Sequence, residues 1–118
     1  ASVTQTACAS SDVIYVPTDN TAASNTELIA NVVLPAQIPV IAGEQGICSG
    51  CGGATLSIDY YDIGYQAGEM AYDVLVNGAD ISTMDVQSAA TAVKMYNESV
   101  CQQLGLTMPE DYSPIAAD

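Results

Sequence analysis

Few side chains in this sequence are equipped for chemistry, and those that are stand close together. Residues 13–24 read VIYVPTDNTAAS, so an apolar run gives way to Thr18, Asp19, Asn20 and Thr21 where a helix is due to begin. A helix starting near Thr21 leaves unpaired N–H groups in its first turn, which attract an anion. Asp19, just ahead of that turn, accepts hydrogen bonds from an ammonium group. Together the two features suit a zwitterion, its carboxylate toward the amide hydrogens and its amine toward Asp19. Asp and Thr are also the usual caps of a helix start, and these residues alone leave both roles open. A second cluster is Cys48-Ser-Gly-Cys51, the spacing of a redox dithiol. Such a dithiol needs a helix N-terminus or a neighbouring cation to lower its thiol pKa. Gly52, Gly53 and then a strand follow Cys51, and no Lys, Arg or His stands nearby, so that activation is missing. Cys8 and Cys101 lack the paired spacing of a tetrathiolate zinc site.

Composition removes further chemistry. Lys94 is the only basic residue, Arg and His are absent, and 14 carboxylates bring the net charge to −13. With nothing to neutralise phosphates, nucleic acid and anionic membrane surfaces are excluded as partners. A basic protein or a cationic ligand is not. Without His there is no Ser–His–Asp or Cys–His nucleophile and no His-bearing zinc site. No D-x-D-x-D-G calcium loop is present, and GEQGICSG and CSGCGG lack the Lys and following helix of a phosphate loop. No metal and no cofactor is therefore expected. A ligand carboxylate must be held by backbone N–H groups, amides, hydroxyls or Lys94. At 118 residues, 49% of them apolar, the chain is long enough for one domain with a real core. The most apolar stretch, Leu28 to Ala42, is broken by Asn31, Pro35, Gln37 and Pro39 and does not read as a membrane span. No signal peptide is visible, so either none existed or this is a processed or excised piece.

These groups must be positioned by a chain that alternates strands and helices. The end of a helix at Val3–Ser10 precedes a first strand at Asp12–Val16, whose continuous apolar run, Tyr15 included, predicts burial on both faces. A helix follows over Thr21–Leu34, with Leu28, Ile29, Val32 and Val33 on one stripe and Pro35 as its stop. Pro39–Ala42 is a second strand, Gly43–Gly53 a Gly-rich loop and Ala54–Asp59 a third strand. Asp62 caps a helix over Ile63–Val76 that turns Ala67, Met70, Ala71, Val74 and Leu75 inward, and Asn77-Gly78 stops it. Asp85–Ala89 is ambiguous, Ala92–Tyr96 is a strand, and Asn97 caps a short helix to Leu104 that Gly105 ends. The tail, Thr107–Asp118, is irregular. Such alternation implies βαβ crossovers and an α/β fold, a parallel sheet flanked by helices. Ligands of these sheets bind beyond the carboxyl ends of the strands, where Thr18–Thr21, Gly43–Glu44 and Asp59–Asp62 should converge.

The segments DVIYVPTDNTAAS, IPVIAGEQG, ATLSIDYYDIGYQAGEMAYDVLVNGAD and QLGLTMPED are similar in order and spacing to those of a known family. The chain resembles the ABC-transporter substrate-binding proteins that carry tryptophan, other aromatic amino acids or similar small zwitterions. The resemblance covers about residues 11–110, and TDNT with DYYDIGYQAG is its most specific pair. It implies a periplasmic-binding-protein fold of the first type, two α/β lobes joined by three crossover strands and closing on ligand like a hinge. It implies no enzyme, but an exported protein, lipid-anchored on the extracellular face of the membrane or periplasmic, that delivers its ligand to an ABC permease. Family members carry a whole lobe before the VIYVPTDN strand. The resemblance therefore implies that residues 1–118 are a single lobe with crossover and C-terminal segments, and that residues 60–90 pack on a first lobe that is not here. The apolar stripe left exposed invites a homodimer or a domain swap.

Residue by residue, Thr18, Asp19 and Asn20 match the family's ligand-facing loop, with Asp19 as the amine contact. Asn20 can donate to a carboxylate and accept from an amine. Asp59 and Tyr60 match a hinge and cleft-edge position, although one of the adjacent Tyr60 and Tyr61 normally packs inward. Glu44 follows the second strand and reaches the same crevice. In an exported loop, Cys48 and Cys51 either pair as a disulfide or stay free. Two other functions remain open beside the receptor: a ligand-sensing regulatory domain of the same fold, and a thiol oxidoreductase using Cys48 and Cys51.

Overall fold

Short apolar runs, each closed by a proline or a capping side chain, set the elements. The computed structural model describes residues 1–116; Ala117 and Asp118, the end of the expected irregular tail, lie outside the described residues. The elements are α1 (Ser2–Cys8), β1 (Ile14–Val16), α2 (Asn20–Ala23), α3 (Thr26–Val33), β2 (Val40–Ala42), α4 (Gln45–Cys51), β3 (Ala54–Ile58), α5 (Tyr60–Leu75), a 3-10 turn (Ile81–Thr83), β4 (Ala92–Tyr96), α6 (Glu98–Leu104) and β5 (Ser113–Pro114). Contacts divide the chain into two compact units, Ala1–Ser57 with Val93–Asp118, and Ile58–Ala92.

The strands form one sheet in the order β1-β2-β3-β4-β5. β1, β2 and β3 are parallel, with Tyr15 opposite Ile41 and Ala42 opposite Thr55, and β4 is parallel to β5. Between β3 and β4 the direction reverses: the Asn97 N–H just past β4 donates to Gly53 O just before β3 at 3.0 Å. The expected α/β class and parallel sheet flanked by helices stand, with the β3–β4 neighbours as the one reversal among the described strands. Residues 58–92 are a compact unit of their own rather than a crossover helix, and a strand that re-enters at the edge where its predecessor left runs antiparallel.

One face of the sheet carries the core of the first unit. Val40, Ala42, Thr55 and Ser57 are buried, as are Ile47, Cys48 and Cys51 of α4 and Val33 of α3. Val16, Ala22, Ile29, Ala30 and Ile115 pack around the α4 cluster. The alternate strand positions face the other way: Tyr15 is 65% exposed, Ile41 41% and Leu56 57%. Tyr15 was expected in the core; it is exposed because β1 is an edge strand and the described residues leave this face open.

Local chemistry explains the other departures. The helix expected over Thr21–Leu34 breaks after Ala23, because Ser24 Oγ donates to Asn20 O and Asn25 Nδ2 to Thr21 O, each at 2.8 Å, and such side chains compete with the helical ladder. The expected loop Gly43–Gly53 contains α4: Glu44 caps it, and Gly50 lets it approach α3, since a Cβ there would stand 2.2 Å from Thr26 Oγ1. The cap of α5 is Asp59, not Asp62. No residue of α5 is buried, so Ala67, Met70, Ala71, Val74 and Leu75 do not form an inner face. Met70, Ala71, Val74 and Leu75 instead line an apolar groove with Ile81, Met84 and Val86 of the 3-10 turn and its flank. The tail is not wholly irregular, since β5 pairs with β4 and Ile115 N–H reaches Tyr96 O at 2.8 Å. Lys94 holds it further, through an ion pair with Asp111 and a position 5.9 Å over the Tyr112 ring. That hydrogen bond holds the Lys94 ammonium above its usual pKa and the Asp111 carboxyl below its own.

Thr55 Oγ1 is buried and has no hydrogen-bond partner among the described residues. An unmet hydroxyl costs more than a methyl of the same shape. Thr55→Val is therefore expected to raise stability by about 1 kcal/mol, read as a higher urea midpoint with an unchanged slope.

Candidate functional site

The carboxyl ends of the three parallel strands each lead into an acidic residue, and each acidic residue caps the helix that follows. Asp19, in extended conformation after β1, accepts the Ala22 N–H on Oδ1 at 2.8 Å. Glu44, after β2, accepts the Gly46 N–H at 2.8 Å and also the Ile47 N–H. Asp59, after β3, accepts the Tyr61 N–H at 2.8 Å.

The first two loops are fastened to each other. Thr18 Oγ1 donates to Gly43 O at 3.2 Å, and the Gly43 N–H donates to Val16 O at 2.8 Å. A Cβ on Gly43 would stand 2.6 Å from Thr18 N, so the approach depends on glycine. Thr18, Asp19, Asn20 and Glu44 thus share the edge beyond β1 and β2, the first three exposed and Glu44 half-buried. Asp59 and Tyr60 belong to the second unit. There Asp59 lines a small cleft with Asp62, Tyr65 and Glu69. Tyr60 opens α5, and both it and Tyr61 are exposed; neither packs inward, because no element of the unit covers the first turn of α5.

Local geometry limits what this edge can offer a ligand. α2 is a single turn of four residues, too short for an appreciable macrodipole, and one of its amide hydrogens is already taken by Asp19. A ligand carboxylate there meets the Asp19 charge. What remains suits an ammonium: among the described residues Asp19 Oδ2 accepts nothing, and Asn20 makes no side-chain hydrogen bond. The Asn20 amide and the Thr21 hydroxyl are polar donors carried by this segment. The signal for the joined loops lay in the sequence as a glycine directly after β2. The role of Asn97 went further than its sequence suggested: besides capping α6, its Nδ2 donates to Cys48 O at 3.2 Å and Ser49 O at 2.8 Å, binding α4 to the end of β4.

The cysteines do other work. The expected alternative of a Cys48–Cys51 disulfide is not realised, and all four cysteines are free. Cys48 Sγ points at Gly52 O (3.7 Å), Cys51 Sγ at Ile47 O (3.4 Å) and Cys101 Sγ at Gly53 O (3.3 Å). Burial pushes the Cys48 thiol up to about 12 and Cys51 to about 11, and raises Cys101 as well. That is the reverse of what a redox dithiol requires. Among the described residues no group of three or more His, Cys, Asp or Glu is placed to hold a metal ion.

Comparison with known proteins bears on the family and the fold. The profile of a family described as ABC transporter substrate binding protein matches residues 1–118. A tyrosine-binding protein of Clostridioides difficile (strain R20291) is 36% identical over 95 residues, which are 80% of this chain and 27% of that protein. Among solved structures, the ligand-free, open form of a substrate binding protein with adhesive properties from Clostridium difficile superposes with a TM-score of 0.79 at 33% identity, over 99% of this chain and 40% of that one. An ABC domain from Streptococcus pneumonia in complex with L-Trp superposes with a TM-score of 0.83 at 28% identity, over 97% of this chain and 41% of that one. The chain spans less than half the length of each.

The thiol environment has a direct readout. A chromogenic disulfide reagent at mildly alkaline pH is expected to react with Cys8, half-buried on α1, and to reach Cys48, Cys51 and Cys101 only after denaturation. Because the folded thiol pKa values lie above the ordinary value of 9.0, their contribution to stability is complete below pH 9.0. It is lost as pH rises toward 11–12, where only the unfolded chain gains by ionising. Unfolding midpoints measured across that range are expected to fall.

Proposed function

This chain belongs to the ABC transporter substrate binding protein family, and on that premise we propose that it supplies one wall of a solute receptor's cleft, taking a small zwitterion such as an aromatic amino acid. The ligand class is supported by the relatives, one named a tyrosine-binding protein and one seen with L-Trp. The site is supported by one observation above the rest: the Thr18–Gly43 hydrogen bond sets Asp19, Asn20 and Glu44 on a single edge beyond parallel strands. With Oδ1 engaged by the helix, Asp19 offers Oδ2 to the ligand ammonium, a charge-assisted contact. Asn20 turns its amide to the carboxylate. Asp59 and Tyr60 act in this proposal at the hinge, where the chain leaves β3.

The second unit packs, in this proposal, on a companion lobe that completes the cleft, and the open sheet face around Tyr15, Ile41 and Leu56 is covered by other parts of a longer receptor. In the isolated chain the same apolar surfaces favour a homodimer. The receptor works outside the cytoplasmic membrane, lipid-anchored or periplasmic, and passes its ligand to an ABC permease without chemistry of its own. Ligand binding shifts the population from open to closed.

Titration of the 118-residue chain with L-tryptophan, L-tyrosine and L-phenylalanine, followed by amide chemical shifts, tests the site. Shifts are expected at Thr18–Ala22 and Gly43–Ile47, at millimolar affinity, because one wall offers only part of the contacts. Asp19→Asn keeps an oxygen to cap the helix but removes the charge, and is expected to weaken binding about tenfold. Micromolar binding by the monomeric chain, or shifts confined to other residues, overturns the proposal.

A further inference from the structure

α5 closes on a short turn in which one amide is idle. Gly78 has φ 73°, the left-handed conformation that ends helices and that glycine alone adopts cheaply. A Cβ at Gly78 would meet nothing within 4 Å, and Asn77 and Gly78 are both exposed. The neighbouring amides are engaged: Val76 N–H and Asn77 N–H donate to Tyr72 O at 2.8 and 3.4 Å, and Ala79 N–H to Asp73 O at 3.0 Å. The Gly78 N–H donates to nothing among the described residues. The side chain of the preceding Asn77 donates from Nδ2 to Asp73 Oδ1 at 2.8 Å.

We infer that Asn77 is a self-modifying site that converts to aspartate and isoaspartate. The Gly78 nitrogen, having given its proton to solvent base, attacks Asn77 Cγ. The new C–N bond forms, the Cγ–Nδ2 bond breaks, and ammonia leaves with a solvent proton, so that a five-membered succinimide remains. Water then opens either imide carbonyl, giving an ordinary aspartyl residue or an isoaspartyl linkage in which the main chain runs through the former side chain. Nothing is oxidised or reduced, and water is the only co-reactant. Glycine on the C-terminal side leaves the approach unobstructed. Asn20, Asn25, Asn31 and Asn97 are followed by Thr, Thr, Val and Glu, whose side chains crowd the same attack.

The product acts on the end of α5. The aspartyl form sets a second carboxylate against Asp73 Oδ1, which now accepts a hydrogen bond from that position, and like charges so placed repel; the isoaspartyl form loses the same donor and carries its free carboxylate on the former main-chain carbonyl carbon. The isoaspartyl form also inserts a methylene between Asp73 O and the Ala79 N–H, the bond that closes the helix. Val74 and Leu75 in that last turn line an apolar groove of about 410 Å³ with Ile81, Met84 and Val86, so the change is delivered to the groove wall.

Incubation of the chain at mildly alkaline pH, with intact mass, peptide mapping and labelling by an isoaspartate methyltransferase, tests this. The expected result is a gain of one mass unit and label confined to the Asn77 peptide, at a rate that climbs with pH, together with faster hydrogen exchange at Ala79. Gly78→Ala and Asn77→Gln are each expected to slow the gain by an order of magnitude. Deamidation elsewhere at an equal or greater rate, or an unchanged rate in both variants, overturns the inference.

Discussion

A carboxylate in this chain has almost no cation to turn to. Lys94 is the single basic side chain and Asp111 occupies it, so the other acids turn to uncharged donors, a few side-chain amides and hydroxyls and, above all, main-chain N–H groups. These are unpaired only at helix starts and turns. Asp19, Glu44, Asp59 and Asp80 each take such a group, opening α2, α4, α5 and the 3-10 turn, and Asn97 does the same for α6 with an uncharged oxygen. At Asp80 the Ser82 hydroxyl and amide hold the carboxyl below its usual pKa. The starts of α2, α4, α5 and the 3-10 turn therefore follow from where these acids fall, and three of the acids come soon after strands. Local bonds of this kind also order the chain without drawing distant like charges together, which matters for a surface that repels itself at −13.

Capping and binding are often set against each other as explanations of an acidic residue at a strand end. A carboxylate has two oxygens, and Asp19 spends one on Ala22. The cap fixes the side chain and leaves the other oxygen unengaged among the described residues, so in the proposed receptor the bond that orders the loop also orients the group for an ammonium. The same economy limits the edge. With no arginine and with α2 a single turn, this wall is well supplied with acceptors and poor in donors. In the proposed receptor, a zwitterion held here takes most of its carboxylate contacts from the companion lobe, as a cleft with two dissimilar walls allows.

How much of this could be read in advance depended on the range of the interaction concerned. β4, the Asn97 cap and the Gly105 stop of α6 follow from adjacent residues and emerge at their expected places. The break between α2 and α3 is also local, but it rests on Ser24 and Asn25 winning carbonyls from the helix, a contest that the apolar stripe of Leu28 to Val33 obscures. α4 was hidden for a different reason. Gly50 reads as a loop residue until Thr26 of α3 is known to lie where its side chain would be. The reversal of β4 and the exposure of Tyr15 turn on what residues 58–92 do and what covers the sheet, neither of which is encoded near those positions. At the site, the parallel β1–β2 pair makes the meeting of Thr18, Asp19, Asn20 and Glu44 legible. Asp59 and Tyr60 pass into the second unit instead, and the alternation of strands and helices carries no sign of that division.

The Cys48–Cys51 pair carries the same lesson into chemistry. With two residues between them in a helix, such thiols are nucleophilic when the first sits at an exposed N-terminus and inert when both lie in the core. α4 packs against both α3 and β2, where Gly50 abuts Thr26 and a Cβ at Gly52 would stand 2.9 Å from Cys48 Cα. Side chains admitted to that space must be small and apolar, and cysteine serves as such a residue. Burial then raises both thiol pKa values, and the sulfhydryls finish as weak donors to the carbonyls of their own segment. The spacing that suggests redox chemistry is here a product of packing: residues three apart face the same side of a helix, and on this helix that side is the core.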